Sequence, residues 1–323
     1  MTDYPFRSYL LKKDSQLIKE FLQSNDLHEI LVPTLNDLLY VSASIKPKQN
    51  TVIHPVCVMN SIKNIIGDNR KKPSLRLIEF AIDYLGDYEY FDNSSNILDN
   101  VAKDGIGATA FLGDLEEACQ LGDWESAKIY TAKIFLASDR SRGVLDLLCE
   151  LALQDSRRNT LFIFHILRAY QFQEIKEDNW AYTFCIFNWL VNKGLPEPHP
   201  PESINPENVL DIMIKTGDLI WFSALMRLWN GDYVRIRSYR RELSYGLSQA
   251  NKIYHRIEEN DFNWLKFDNP KKFIEAAEKI ITSDISKSVK AQEVVTLEAV
   301  RALSRLISAE QNNILITRLN ASL

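Results

Sequence analysis

Several signatures that would fix a chemistry are missing from this chain. It has no CxxC pair, no HxxH, HxxxH or HExxH spacing, no P-loop, no GxSxG and no Cys/His protease pattern. Zinc ribbons, thiol redox motifs, zincins and nucleotide-phosphate loops are therefore not legible in it. Its four cysteines, Cys57, Cys119, Cys149 and Cys185, are far apart in apolar segments. That pattern reads as buried free thiols in a reducing compartment. The Glu-x-x-His pairs that carboxylate-bridged iron requires on two helices are also missing, so only scattered side chains could ligate a metal. No run reaches about 18 apolar residues, so no membrane span is expected. The first residues, Met1-Thr2-Asp3-Tyr4-Pro5, carry an early acid and no apolar core, unlike a signal peptide. Cytoplasm is the expected location.

What is present is ordinary globular material. The 323 residues are 46% hydrophobic and 25% charged, enough to bury a large core without disulfides. A net charge of −5 repels phosphate backbones, so nucleic acid is not the expected partner.

Glycine is sparse, and its placement is informative. Six of the 11 glycines precede aspartate: Gly67, Gly86, Gly113, Gly122, Gly217 and Gly231. A Gly-Asp step suits a helix–helix corner, glycine ending one helix and aspartate capping the next. Around Gly122-Asp123 the flanks have helical period, with Phe111, Leu115, Ala118 and Cys119 before and Trp124, Ala127, Tyr130 and Ile134 after. The same reading predicts helices over 14–24, 27–44, 55–66, 74–86, 108–121, 124–137, 142–153, 158–173 and 179–192. It continues with 207–216, 219–229, 234–258, 270–282 and a long closing helix over 287–309. No convincing alternation of apolar and polar residues marks a strand. The expected class is all-α, stacked antiparallel hairpins forming an α-solenoid-like array or multi-helix bundle.

Five of the 11 prolines lie between Gly194 and Pro206, a stretch that cannot be helix interior. The expected organisation is a helical region over 1–194, a connector over 195–206 and a second region over 207–323, or one continuous domain. Asp104-Gly-Ile-Gly-Ala-Thr-Ala110 begins like a dinucleotide loop, but it lacks the third glycine and follows no strand. It reads as a loop entering a helix.

Two histidines lie in apolar helical segments. His165 sits within Leu161-Phe-Ile-Phe-His-Ile-Leu167, and His54 precedes Pro55 at a helix start, with Asn60 and Ser61 further along. The plain reading is a satisfied core histidine and a helix cap. The functional one is a pair of acid–base groups facing a pocket.

His54-Pro-x-x-x-x-Asn60-Ser61, followed about a hundred residues later by Phe162-x-x-His165-x-x-x-Ala169, resembles questin oxidase-like proteins. Those are all-helical, and some are NADPH-dependent oxygenases of polyketide anthraquinones. The resemblance covers a few residues in about a third of the chain. It implies His54 and His165 as pocket residues with Asn60 beside them, NADPH as cofactor and a small hydrophobic, aromatic substrate. Separately, Leu115-Glu-Glu-Ala-Cys-Gln-Leu-Gly-Asp-Trp-Glu-Ser-Ala127 resembles a tetratricopeptide hairpin, over that one hairpin only and without a repeat of about 34 residues.

A last cluster interleaves Arg235, Arg237, Arg240 and Arg241 with Tyr233 and Tyr239. Such a face can hold phosphates or an acidic partner; alternatively its arginines pair with neighbouring acids such as Glu242 and Asp232. Hairpin punctuation without a catalytic signature makes a module binding a protein or peptide partner the leading functional expectation. The pocket-bearing oxygenase is the rival.

Overall fold

The computed structural model describes residues 5–46, 53–91, 96–105, 111–191, 193–201, 204–250, 257, 261–267 and 269–321. Helix starts follow the short polar side chains. Asp14, Ser74, Asp123, Asp155, Asp218 and Ser286 each accept a backbone N–H three residues on, and Asp26 and Asn269 accept one two residues on. Each such cap contributes about 1 kcal/mol. The helices are α1 (Phe6–Lys12), α2 (Ser15–Ser24), α3 (Leu27–Ala43), α4 (Pro55–Ile66), α5 (Leu75–Gly86), α6 (Asn96–Asp104), α7 (Leu112–Leu121), α8 (Trp124–Ala137) and α9 (Gly143–Leu153). They continue as α10 (Ser156–Phe172), α11 (Asn179–Leu190), α12 (Pro206–Thr216), α13 (Leu219–Trp229), α14 (Ile236–Ser248), α15 (Pro270–Thr282), α16 (Lys287–Ser304) and α17 (Ala309–Ala321). The fold is all-α. Among the described residues the β pairing amounts to one isolated bridge between Ile45 and Tyr90.

The Gly-Asp rule holds at fewer corners than expected. Gly122 takes the left-handed C′ position at φ 74°, and Asp123 caps α8, closing the α7–α8 hairpin. Asp218 likewise caps α13, but Gly217 before it is extended. The other four steps do different work. Gly113-Asp114 lies inside the first turn of α7, where Asp114 accepts the N–H of Phe111 at 3.0 Å. Gly86 ends α5 without a left-handed φ, and Asp68, inside a 3-10 turn (Gly67–Asn69) that continues α4, holds Arg301 and Arg305. Gly231 follows α13 as part of a bend, with Tyr233 packed where a Cβ would stand.

Three helix boundaries also differ. The predicted helix over 234–258 runs only from Ile236 to Ser248, and most of its remaining predicted length lies outside the described residues. The closing helix stops at Ser304, because Ser308 and Gln311 form a reciprocal cap that starts α17. Helices α1 and α6 have no counterpart among the predicted ones. Most of the dinucleotide-like segment, residues 106–110, lies outside the described residues, as does His255.

Helix α4 shows where the core is. Of its residues only Asn64 keeps partial exposure, the mark of a helix surrounded on all sides. It packs on α10 and α16, and these two pack in turn on α13, so four helices enclose a central seam. Helices α3 and α5 cover another flank of α4, α15 lies against α16, and α9 and α11 contact each other and α10. One hydrophobic cluster includes residues on both sides of the proline-rich connector. The connector is itself tied down: His199 bonds Glu242 at 2.7 Å and stacks on Tyr245. No described helix is long and apolar enough to cross a membrane.

Candidate functional site

The central seam of α4, α10, α13 and α16 is apolar except for a line of polar side chains. Their sequence neighbours are hydrophobic, so the helices bury and the polar groups are carried inside. His165 on α10 and Asn60 on α4, both fully buried, meet across the seam at 2.8 Å. With the Asn60 amide donating, His165 Nδ1 accepts, which leaves the ring proton on Nε2. That Nε2, Asn60 Oδ1 and the neighbouring Ser61 hydroxyl have no hydrogen-bond partner among the described residues. Burial lowers the His165 pKa to about 3, so the ring is neutral at pH 7.

His54 stands apart from this pair. Its Nδ1 accepts the N–H of Val56 at 3.2 Å, so it caps α4, and its Nε2 lies 3.6 Å from the Cys185 thiol. Phe162 and Trp189 pack on its ring. Burial first, and then the Lys193 ammonium, lower its pKa to about 3. Both ring nitrogens are therefore engaged. Neither imidazole lines the cleft or the groove described below, nor a third hollow of about 460 Å³ beside Trp180.

One turn beyond Asn60 the seam becomes charged. Glu298 of α16 is fully buried and takes two bonds from the Arg227 guanidinium, at 2.7 and 3.0 Å, and one from Asn64 at 2.9 Å. Burial alone would raise this carboxyl; Arg227, His165 and Arg301 outweigh it and bring it down to about 2. Arg227 also lies over the Phe164 ring at 3.8 Å. Above this pair opens a cleft of about 540 Å³ whose walls include Arg168, Arg301, Arg305, Asp232 and Tyr233. On α4, Lys63, 7% exposed, lies over the Phe172 ring at 4.7 Å. Sequence reasoning singled out none of Lys63, Arg227 and Glu298. Each is a charge on an otherwise apolar helix face, and that contrast was the available signal.

The arginine face is largely closed on itself. Arg235 pairs with Glu150, Arg241 bonds Glu242 at 2.9 Å, and Arg240 donates to the Trp229 carbonyl at 2.8 and 3.0 Å. Arg237 and Arg240 are both exposed without an acid partner among the described residues.

A further hollow lies elsewhere, between α2 and α5, at about 610 Å³. Leu10, Ile18, Leu22, Leu75, Ile82 and Tyr90 form its apolar lining. Helix α2 is held mainly by α1 and fully buries only Ile18; Phe21, stacked on Phe6, and Leu22 are partly buried, and Leu17 is exposed. Lys13 and Lys19 stand on one wall, Glu79, Asp83 and Asp87 on the other. Lys13 donates to the Gly86 carbonyl at 2.9 Å, and Lys287 bridges Asp83 and Asp87. Lys19 and Glu79 have no ion-pair partner among the described residues.

Among the described residues no three His, Cys, Asp or Glu side chains gather as a metal-ligand set. No family model matches the chain, and neither a curated protein nor a solved structure matches it.

Proposed function

We propose that this chain is a binding module that takes an amphipathic helical segment of a protein partner in the groove between α2 and α5. The observation that carries the reading is the pairing of an apolar floor with rims of opposite charge. Leu75, 42% exposed, offers an apolar contact on the groove lining. A helix laid in such a groove presents residues at i, i+3, i+4 and i+7. Its flanks would carry acid toward Lys19 and base toward Glu79. Because α2 rests chiefly on α1, it can shift by small steps to fit the guest at little cost to the central core.

Display selection with the intact chain tests this. Enriched peptides should show helical apolar spacing, and Leu75→Glu should weaken them by at least about tenfold, as loss of a central apolar anchor does. Leu75 is exposed, so the change should leave folding intact. No enrichment, or enriched peptides indifferent to Leu75→Glu, overturns the proposal.

The oxygenase reading, with NADPH and an aromatic substrate, has one supporting observation: the unpartnered Nε2 of His165. His54, its expected companion, is occupied as a cap.

A further inference from the structure

We infer that the proline-rich connector is a second interaction surface, read by a protein domain that holds polyproline in an aromatic-lined groove with a basic rim. It is independent of the groove between α2 and α5.

Residues 194–201 read Gly-Leu-Pro-Glu-Pro-His-Pro-Pro. The rings of Pro196, Pro198, Pro200 and Pro201 hold φ at about −65°. Leu195, Glu197, His199 and Pro200 each precede a proline, which disfavours the helical region for them. Every residue from Leu195 to Pro200 is thus steered to extended backbone, and the segment carries neither helix nor strand. Backbone of this kind winds as polyproline II, with about three residues per turn.

Counting by threes gives the register. One line holds Leu195, Pro198 and Pro201, a second Glu197 and Pro200, and the third Pro196 and His199. The fold anchors the third line at His199. Glu242 of α14 accepts its backbone N–H at 3.2 Å and meets its Nδ1 at 2.7 Å, and Tyr245 stacks on the ring. Glu242 is fully buried and also takes a bond from Arg241. The other two lines turn outward: Glu197, Pro198, Pro200 and Pro201 are exposed. Leu195 packs on the core where the segment leaves it, and Pro196 is exposed.

A three-sided helix laid in a groove offers two of its lines and turns the third away. Here the outward lines present two X-Pro dipeptides one turn apart, Glu197-Pro198 and Pro200-Pro201. The line turned away is the one that α14 holds at His199, so docking requires no rearrangement of the fold. Proline rings pack on aromatic side chains, and a backbone already extended loses little freedom on binding. Charge selects within that class. Glu197 is exposed without an ion-pair partner among the described residues, and no lysine or arginine stands between Gly194 and Pro206. A groove with a basic residue at its rim matches this segment; one whose rim is acidic does not.

Binding of the full chain to an array of purified PxxP-reading domains, followed by titration of the hits, tests the inference. Domains with basic rims should bind saturably. Pro198→Ala and Pro201→Ala should each weaken a hit by at least about tenfold, as loss of a packed anchor does. Pro196→Ala, outside both dipeptides, should change it by less than about twofold. Glu197→Lys should weaken it as well. All four substitutions lie on exposed connector positions, and an unchanged thermal melt verifies the fold. If no domain binds the full chain, or if both Pro198→Ala and Pro201→Ala keep wild-type affinity, the surface is overturned. A loss in Pro196→Ala equal to that in Pro198→Ala overturns the register, and tighter binding by Glu197→Lys overturns the basic rim. A synthetic 194–201 peptide that binds where the full chain does not shows that the fold occludes the segment, and also overturns it.

Discussion

Replacing Lys63 by methionine should make the folded chain more stable. The unfolded amine titrates near 10.5, the folded one near 7. At pH 7 that difference penalises the folded state by up to about 4 kcal/mol, at about 1.36 kcal/mol per unit. Methionine keeps the stem packed on Phe172 and removes the charge. It forfeits the cation–π contact, worth about 1–2 kcal/mol. The net expected gain is about 2–3 kcal/mol at pH 7, read as a higher urea midpoint at unchanged slope. The pH dependence identifies the cause. A depressed amine binds fewer protons in the folded state, so the penalty is fully present below pH 7. It is relieved as pH rises from about 7 to about 10.5, where both states are neutral. The advantage of Lys63→Met should therefore shrink across that window. A variant less stable than wild type at pH 7, or a difference that stays flat to pH 10, would refute the reasoning.

Two further outcomes follow from the seam. Arg227→Met should destabilise by about 3–5 kcal/mol because it strands the Glu298 carboxylate, and adding Glu298→Leu should recover most of that loss in chemical denaturation. On acidification, stability should begin to fall near pH 6.5. His54 and His165 are held neutral to about pH 3 in the fold but protonate near 6.5 when unfolded, so protons favour the unfolded chain between those values. Glu298 adds a contribution that is full above pH 4.5 and is lost as pH falls toward 2. His165→Gln should lower the slope of stability against pH by about one proton, or about 1.4 kcal/mol per pH unit, between 4 and 6; an unchanged slope would contradict the burial of a neutral imidazole.

Much of the fold was legible because it rests on local chemistry. Apolar periodicity located α4, α10 and α13, and aspartate and serine caps set their neighbours' starts. Helices α1 and α6 escaped because they are short and few of their residues bury. Ser308-x-x-Gln311 was a readable capping box, hidden by the continuous apolar stripe of α16. Gly-Asp punctuation was overread: aspartate capped a helix at Gly122 and Gly217, but Asp68 was needed for Arg301. The site was harder. That His165 would meet Asn60 depends on how α10 crosses α4, which no local pattern encodes. Lys63, Arg227 and Glu298 come from α4, α13 and α16, and only their shared oddity as charges among hydrophobic residues foreshadowed them.

Amide hydrogen exchange of the full chain, with and without a display-selected peptide, tests the peptide-binding claim most directly. The account predicts that exchange slows in α2 (Ser15–Ser24) and along α5 (Leu75–Gly86), with the largest change in α2, the more weakly held wall. Protection confined to other helices, or none at saturating peptide, would contradict it.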